Sequence, residues 1–459
     1  MERSTKKRPL RRFLWLGGLV ALVFCGLAGL RSGAAPKIEI APELPGIGPR
    51  TPVIVTLEEP KRGLVKAAVD LIQGERTHRL LEQAWKPQAA WKPWGAKTVR
   101  DELRFEVGGE TLADLESGEA TLRVIAERAP SWFRRPVPQI AEKVLPVHLA
   151  PPAIGLVSDQ HNVMQGGSGV VVYRLGASAS ESGVMAGERW FPGFALPNGD
   201  HFALFALPYD LDDSARVRLV AGDALGNRAE RRFLDSFTPR PFAEGTIRLD
   251  DDFMARVVPE ILANTPELRA GDTVLDSYLA INGELRKANR AYLAELADSS
   301  AEEFLWRQPF LPMRNAKVMS PFAVRRTYSY DGKAVDEQFH LGFDLASVRR
   351  APIEAANDGV VLASRYLGIY GNVVVLDHGY GLMTLYAHLS SLEVAEGDRV
   401  RRGQVVGRSG ETGLAGGDHL HFGILIRGLP VNPVEWWDGR WIRDRVASKL
   451  GSALTFDGP

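Results

Sequence analysis

The 459-residue chain carries 56 Lys plus Arg against 56 Asp plus Glu. This balance offers no electrostatic case for a nucleic-acid partner. A composition that is 45% hydrophobic and 24% charged excludes a disordered or fibrous chain. The length exceeds what one core serves, so roughly two to four domains are expected.

Residues 1–12 form a cationic head containing Arg3, Lys6, Lys7, Arg8, Arg11 and Arg12, and residues 13–30 are an apolar run from Phe13 to Leu30. A helix of that length rises about 27 Å, close to the roughly 30 Å hydrocarbon core. The positive flank belongs in the cytoplasm. The sequence therefore predicts a single-pass membrane anchor with the remainder exported. A cleaved secretory signal is the alternative, because Ala34 and Ala35 follow Gly33. Cys25, the single cysteine, lies inside the apolar run, so the exported part holds no intrachain disulfide.

The first module is expected over residues 36–149: residues 36–50, rich in Pro, Gly and Ala, read as a linker, and from Pro52 to about Leu149 the pattern is mostly short strands. Val53–Leu57, Arg104–Val107 and Ala120–Ala126 are β-branched or alternating runs broken by Gly and Pro. Residues 151–240 repeat the pattern with Gly169–Tyr173, Phe202–Phe205 and Ala215–Ala221. Glu119–Glu127 and Ser214–Gly222 share an alternating strand ending in Ala, 95 positions apart. Two immunoglobulin-like β-sandwich modules are expected, with a protein partner of these modules left open.

Between 250 and 300 the period becomes helical. Leu275, Leu279, Leu285, Ala288, Tyr292 and Leu296 recur among charged residues, Asp272 or Thr273 can cap the start, and Pro266 breaks the run. This helical linker is read as a packed spacer, with a lid over an active site as the sharper reading. From 304 to 440 strands return with dense glycine, which predicts an antiparallel sheet. Residues 441–459 are a tail.

Five of the nine histidines fall in this last domain. His419 and His421 are two apart on an expected strand, so both imidazoles point to one face. His340 and Asp344 are four apart, about 13 Å if fully extended, so the segment must bend, and Gly342 permits it. Two imidazoles and a carboxylate suit a divalent metal. His388, after Leu385-Tyr386-Ala387, is the candidate for proton transfer, whereas His378 reads as structural or groove-lining.

His-x-Gly-x-Asp at 340–344, Tyr-Gly-Asn at 370–372, Asp-His-Gly at 377–379 and Tyr-Ala-His-Leu at 386–389 come in this order. Gly-Asp-x-Val-x-x-Gly-Gln-x-x-Gly at 397–407 and His-Leu-His-Phe at 419–422 follow. This series resembles the lysostaphin-type zinc endopeptidases. The resemblance implies one Zn²⁺ held by His340, Asp344 and His421, with His388 and His419 as catalytic histidines in unassigned acid and base roles. It further implies hydrolysis of stem or cross-link peptides in peptidoglycan, in the bacterial cell envelope. Asp418 stands where the family often has proline, and Gly423 where it often has glutamate. The alternative is a non-hydrolytic peptidoglycan-binding regulator or scaffold of the same fold, and a third reading is an enzyme blocked by its own helical segment or β modules.

Overall fold

The computed structural model describes residues 9–30, 35–89, 95–130 and 135–458. Residues 1–8 of the basic head, and Gly33 and Ala34 of the cleavage alternative, lie outside them. Pro9–Leu30 is helical. Among the described residues no helix is long and apolar enough to cross a membrane, and the anchor expected over residues 13–30 is left unconfirmed.

The described chain is mainly β, with several antiparallel sheets and few helices. It divides into two compact units, residues 1–152 with 222–228 and residues 153–221 with 229–459. In the first, Thr51–Glu58 is the middle strand of a three-stranded sheet between Lys37–Pro42 and Arg100–Val107. Its alternating burial sends Val53, Val55 and Leu57 into the core, as a period of two requires. A second sheet runs Arg76–Ala84, Leu64–Gln73, Gly118–Arg128, Gln139–Val147. Its Val69, Leu71, Leu122 and Val124 fill the same core. Paired sheets over one core are shown here; an immunoglobulin-like topology is not.

In the second unit the strands between 153 and 221 share a continuous core with the C-terminal region. Val170, Phe202 and Phe205 belong to one cluster with Trp306, Phe310, Phe322 and Trp436. Aromatic contacts make the join: Phe202 lies 5.7 Å from Phe304 and 4.9 Å from Tyr380 between ring centroids.

The helical segment forms as its caps dictate. Asp250 accepts from Phe253 N at 2.8 Å and starts the helix Asp251–Ala263. Thr273 and Asp276 form a reciprocal capping box at the start of Val274–Ala280. A π turn at Ile281–Leu285 then leads into Arg286–Leu296. These helices pack through Met254, Val257, Ile261, Tyr278, Ile281 and Leu293 onto Val373, Val375, Met383 and Leu385 of the sheet beneath.

That sheet has eight strands. Its spatial order is Lys317–Ser320, Phe343–Ala346, Leu420–Ile426, Leu382–Leu389, Asn372–Asp377, Gly359–Tyr366 and Arg399–Val400, with Leu429–Val431 beside Leu420–Ile426. The pairings are antiparallel. A separate ribbon, Val324–Tyr330 with Lys333–His340, carries Glu244–Arg248 as a parallel third strand.

One buried carboxyl links the two halves of this unit. Glu435 accepts from the Ser168 amide at 2.9 Å and its hydroxyl at 3.0 Å, and Trp436 Nε1 donates to the same hydroxyl at 3.1 Å. Burial pushes the Glu435 carboxyl up to about 7, against the pull of the Ser168 donors. A folded-state pKa above the ordinary 4.5 means that the native state holds the proton more tightly. Stability contributed by this group is therefore lost as pH rises from about 4.5 to about 7. Glu435→Gln is expected to match the parent at pH 5 and gain on it as pH climbs, by on the order of 2 kcal/mol at pH 8. Chemical denaturation of both proteins across that range measures it, and a pH-independent difference between them refutes it.

Candidate active site

His340 closes the strand Lys333–His340, and Asp344 sits in the next strand, Phe343–Ala346. The chain turns between them at Leu341 and Gly342, as the spacing requires. A Cβ on Gly342 would lie 2.5 Å from His421 Nε2 and 2.8 Å from the Phe422 carbonyl, so only glycine lets the turn approach the neighbouring strand this closely. Asp344 lies in register with His421. The two histidines on Leu420–Ile426 and its flank, His419 and His421, share the face expected of positions two apart.

His388 reaches that face by a different device. In Leu382–Leu389 it follows Ala387, which pairs with His421, and strict alternation would point it the opposite way, with Tyr386. His388 instead has φ of 63°, a left-handed conformation that costs a non-glycine residue about 1–2 kcal/mol. The twist places its ring 4.9 Å from His419 and 5.8 Å from His421 between centroids. The Tyr-Gly-Asn motif supports it from behind. Asn372 N donates to Thr412 Oγ1 at 3.0 Å, and both Asn372 Nδ2 and Thr412 Oγ1 donate to the Leu389 carbonyl at 3.0 Å. Thr412 is thereby held where its carbonyl accepts from His388 Nδ1 at 2.8 Å.

Three donor atoms converge. His340 Nε2 is 2.8 Å from Asp344 Oδ1 and 3.0 Å from His421 Nδ1, which is itself 3.0 Å from Asp344 Oδ1. His340 Nδ1 lies 3.0 Å from the Pro321 carbonyl. A proton donated there leaves the lone pair on Nε2, toward the cluster. Arg326 Nη2 donates to Asp344 Oδ2 at 2.7 Å and to Ser320 Oγ at 2.9 Å, holding the second carboxylate oxygen and leaving the first for the cluster. Asp344 is nearly buried, and although burial pushes its carboxyl up, His340, His419 and His421 hold it well below the usual range.

The set fits a divalent ion. Tetrahedral ligands at 2.0–2.1 Å from an ion sit about 3.3 Å apart, so this triangle need open only slightly. His421 faces the cluster with Nδ1, and its buried Nε2 has no hydrogen-bond partner among the described residues. His340, Asp344 and His421 are the group among the described residues whose donor atoms gather in this way.

The other two imidazoles stand beside the triangle. His419 donates Nδ1–H to the Gly417 carbonyl at 2.7 Å and turns Nε2 toward Asp344 Oδ1 at 3.5 Å. Burial lowers its basicity, but the Asp344 carboxylate outweighs this and raises its pKa above the ordinary 6.5. His388 is shifted well below 6.5 by burial and by His419 and His421. Two similar rings thus acquire opposite tendencies from their surroundings.

Other expectations resolve plainly. His378 is fully buried, its Nδ1 donating to the Asp358 carbonyl at 2.7 Å and its Nε2 lying 2.8 Å from Thr384 Oγ1; it is structural. The Tyr386 hydroxyl accepts from Ala356 N at 2.7 Å on the core side and takes no part in the site. Asp418 accepts from Ser409 Oγ at 2.5 Å and from Arg350 N at 3.1 Å, bracing the loop before His419. At Gly423 a Cβ would meet Leu385 at an ordinary 3.6 Å.

Arg326 and the carbonyls of Thr412 and Gly417 were not anticipated from sequence. The helical segment, expected as a packed spacer or more sharply as a lid, packs on the sheet and also borders the site. A cavity of about 1030 Å³ opens over the five site residues, and Phe253, Arg256, Tyr278 and Arg286 also line it.

Residues 338–433 match the model described as Peptidase family M23. The DD-carboxypeptidase/endopeptidase Mpg of Neisseria meningitidis serogroup B is 41% identical over 123 residues, 27% of this chain and 27% of that protein. The peptidoglycan DD-endopeptidase ShyA of Vibrio cholerae serotype O1 is 39% identical over 119 residues, 26% of this chain and 27% of its own. The chain therefore spans only about a quarter of the length of these curated relatives. The crystal structure of a zinc containing peptidase from Vibrio cholerae superposes with a TM-score of 0.25 and 16% identity, covering 69% of this chain and 56% of that one. With the motifs, the geometry and the family match on the same residues, the C-terminal part of this chain carries a peptidase family M23 domain.

Proposed function

We propose that this chain is a zinc endopeptidase that hydrolyses stem or cross-link peptide bonds of bacterial peptidoglycan. The observation that carries the reading is the triangle of His340 Nε2, Asp344 Oδ1 and His421 Nδ1 with two further imidazoles beside it. The relatives named as peptidoglycan DD-endopeptidases support the substrate class.

His340, Asp344 and His421 hold the ion, which when bound supplies an acidified water and polarises the scissile carbonyl. His388, neutral at neutral pH and with Nδ1–H committed to Thr412, offers Nε2 to take the proton from the attacking water. His419, kept more basic by Asp344, carries a proton that it can give to the leaving amine. Arg326 and the Pro321 carbonyl position Asp344 and His340.

The basic head and the apolar run at 13–30 support attachment to the inner membrane with residues 36–459 in the envelope. The strand-rich segments 36–149 and 151–240 then act as spacers, open to a protein partner, and residues 250–300 link them to the peptidase domain at 304–440.

Muropeptides incubated with residues 36–459 and zinc are expected to yield shortened or uncrosslinked products by mass spectrometry. A chelator should abolish them, and His421→Ala should lose bound metal and fall below about one-thousandth of the parent rate. Metal-loaded protein that leaves several wall types intact refutes the reading. The dependence of kcat/KM on pH is expected to be bell-shaped, since His388 must be neutral and His419 protonated. The acid limb lies well below 6.5 and the alkaline limb above it. His419→Gln should erase the alkaline limb and lower the rate about 10²–10⁴-fold, whereas a limb retained in that variant moves the acid elsewhere. Alkaline carbonate extraction of membranes should leave the full chain in the pellet, and its release into the supernatant argues against the tether.

A further inference from the structure

Arg286 stands at the first position of the helix Arg286–Leu296, partly buried, and lines the cavity over the site. Its guanidinium is aimed by its own helix: Nε donates to the Asn282 carbonyl at 2.9 Å and Nη2 donates to Asn282 Oδ1. Asn282 Nδ2 in turn donates to Asp336 Oδ2 at 2.7 Å. Among the described residues no carboxylate pairs directly with Arg286. Of the other arginines lining the cavity, Arg326 pairs with Asp344 and Arg256 donates to the Ala415 carbonyl at 2.8 Å, while Arg248 is exposed. A partly buried cation whose hydrogen bonds go only to neutral oxygens keeps a charge that an anion would balance.

Two phenols accompany it. Tyr278 and Tyr370 are 1% and 8% exposed and line the same cavity. Neither hydroxyl has a hydrogen-bond partner among the described residues. Burial and then Tyr328 make the Tyr278 phenol harder to ionise, and burial does the same to Tyr370. Arg286 acts on both in the opposite sense, as a cation near both rings does. Tyr370 is held beside the metal group, 5.8 Å from His421 between ring centroids. Ile369 N, next to it, donates to Asn289 Oδ1 at 3.0 Å. A guanidinium and two phenolic hydroxyls supply donors and no strong acceptor, which suits a planar anion.

We propose that Arg286, Tyr278 and Tyr370 receive a carboxylate of the peptide bound across the metal site. The chain therefore selects acidic peptides over neutral ones of the same sequence. The inference rests on the endopeptidase reading for the identity of the ligand. The carboxylate is either the free C terminus of the peptide or an acidic side chain. All three residues lie outside the catalytic pentad, and two of them, Tyr278 and Arg286, lie outside residues 338–433. Selectivity thus comes from the helical segment as well as from the peptidase domain.

The test uses the full zinc-loaded chain and one synthetic acidic peptide in four forms: both carboxylates free, the C terminus amidated, the side chain amidated, and both amidated. Binding is measured by calorimetry and cleavage by mass spectrometry. The free form is expected to bind, and to be cleaved in kcat/KM, about ten- to a hundred-fold better than the doubly amidated form. The single amides show which carboxylate is read. Arg286→Gln should bring that ratio toward one, and Arg286→Lys should keep part of it. Because loss of a partly buried cation can disturb folding, Tyr278→Phe and Tyr370→Phe provide milder probes, each expected to cut the ratio several-fold. A parent ratio near one, or a ratio untouched by all the variants, overturns the proposal. Preferential binding without cleavage sinks the hydrolytic reading and leaves the carboxylate site standing; cleavage without preference does the reverse.

Discussion

The site depends on one buried carboxylate. Asp344 lies within reach of three imidazoles and a guanidinium. Placed alone at that depth it would take up a proton, because burial disfavours its charge. Its neighbours reverse this and keep it ionised. The charge in turn gives His340 and His421 a reason to face one another across 3.0 Å. It also raises His419, whereas burial and the two adjacent imidazoles keep His388 low, so the anion organises the ligand group and one side of the difference between the two remaining rings.

Bringing these groups together requires the backbone to depart from regular strand geometry twice. Gly342 allows the turn between His340 and Asp344 to lie against His421, and the left-handed φ of His388 reverses the side on which its ring emerges. The irregularity at His388 is locked by a hydrogen-bond network behind the ring. Asn372, Thr412 and the Leu389 carbonyl form the lock for His388. The Tyr-Gly-Asn and Tyr-Ala-His motifs, 16 positions apart from Tyr370 to Tyr386, are therefore two sides of one strained turn.

Much of this was legible in the sequence, for reasons that differ by element. The His419–His421 face follows from the period of a strand, and the bend at Gly342 from the distance an extended chain would impose. A helix start at Asp272 or Thr273 follows from residue types alone, and the structure uses Thr273. The acid and base tendencies of His388 and His419 were not legible, since they arise from burial and from neighbours that only the folded sheet brings together, His419 and His421 beside His388 and Asp344 beside His419. Arg326 gave no signal because its partner is 18 positions away and on another strand. Tyr278 and Arg286 read as ordinary members of an amphipathic stretch, and nothing in their spacing says that a cavity lies beneath them. The second strand-rich segment looked like a twin of the first, whereas its Phe202 and Phe205 join the aromatic core of the C-terminal region. Ring-to-ring packing between residues a hundred positions apart leaves no periodic trace.

That shared core bears on what counts as the working unit of this protein. Trp306 and Trp436 are among the largest fully buried side chains, and both belong to the cluster that includes Phe202 and Phe205. Each Trp or Phe can bury roughly 150–250 Å², at about 25 cal/mol per Å² of apolar surface. Cutting the chain near residue 305 would return several such faces to water and leave Glu435 without its Ser168 donors. It would also remove the helices that complete the cavity, Tyr278 and Arg286 among them. The catalytic pentad could survive in such a fragment, because its hydrogen bonds are supplied within the sheet and its loops. The proposed selectivity and part of the stability would not, because Tyr278, Arg286, Ser168 and Phe202 all lie outside the residues of the family match. On the proposed reading the metal chemistry is local to the domain, and the recognition is a property of the larger unit.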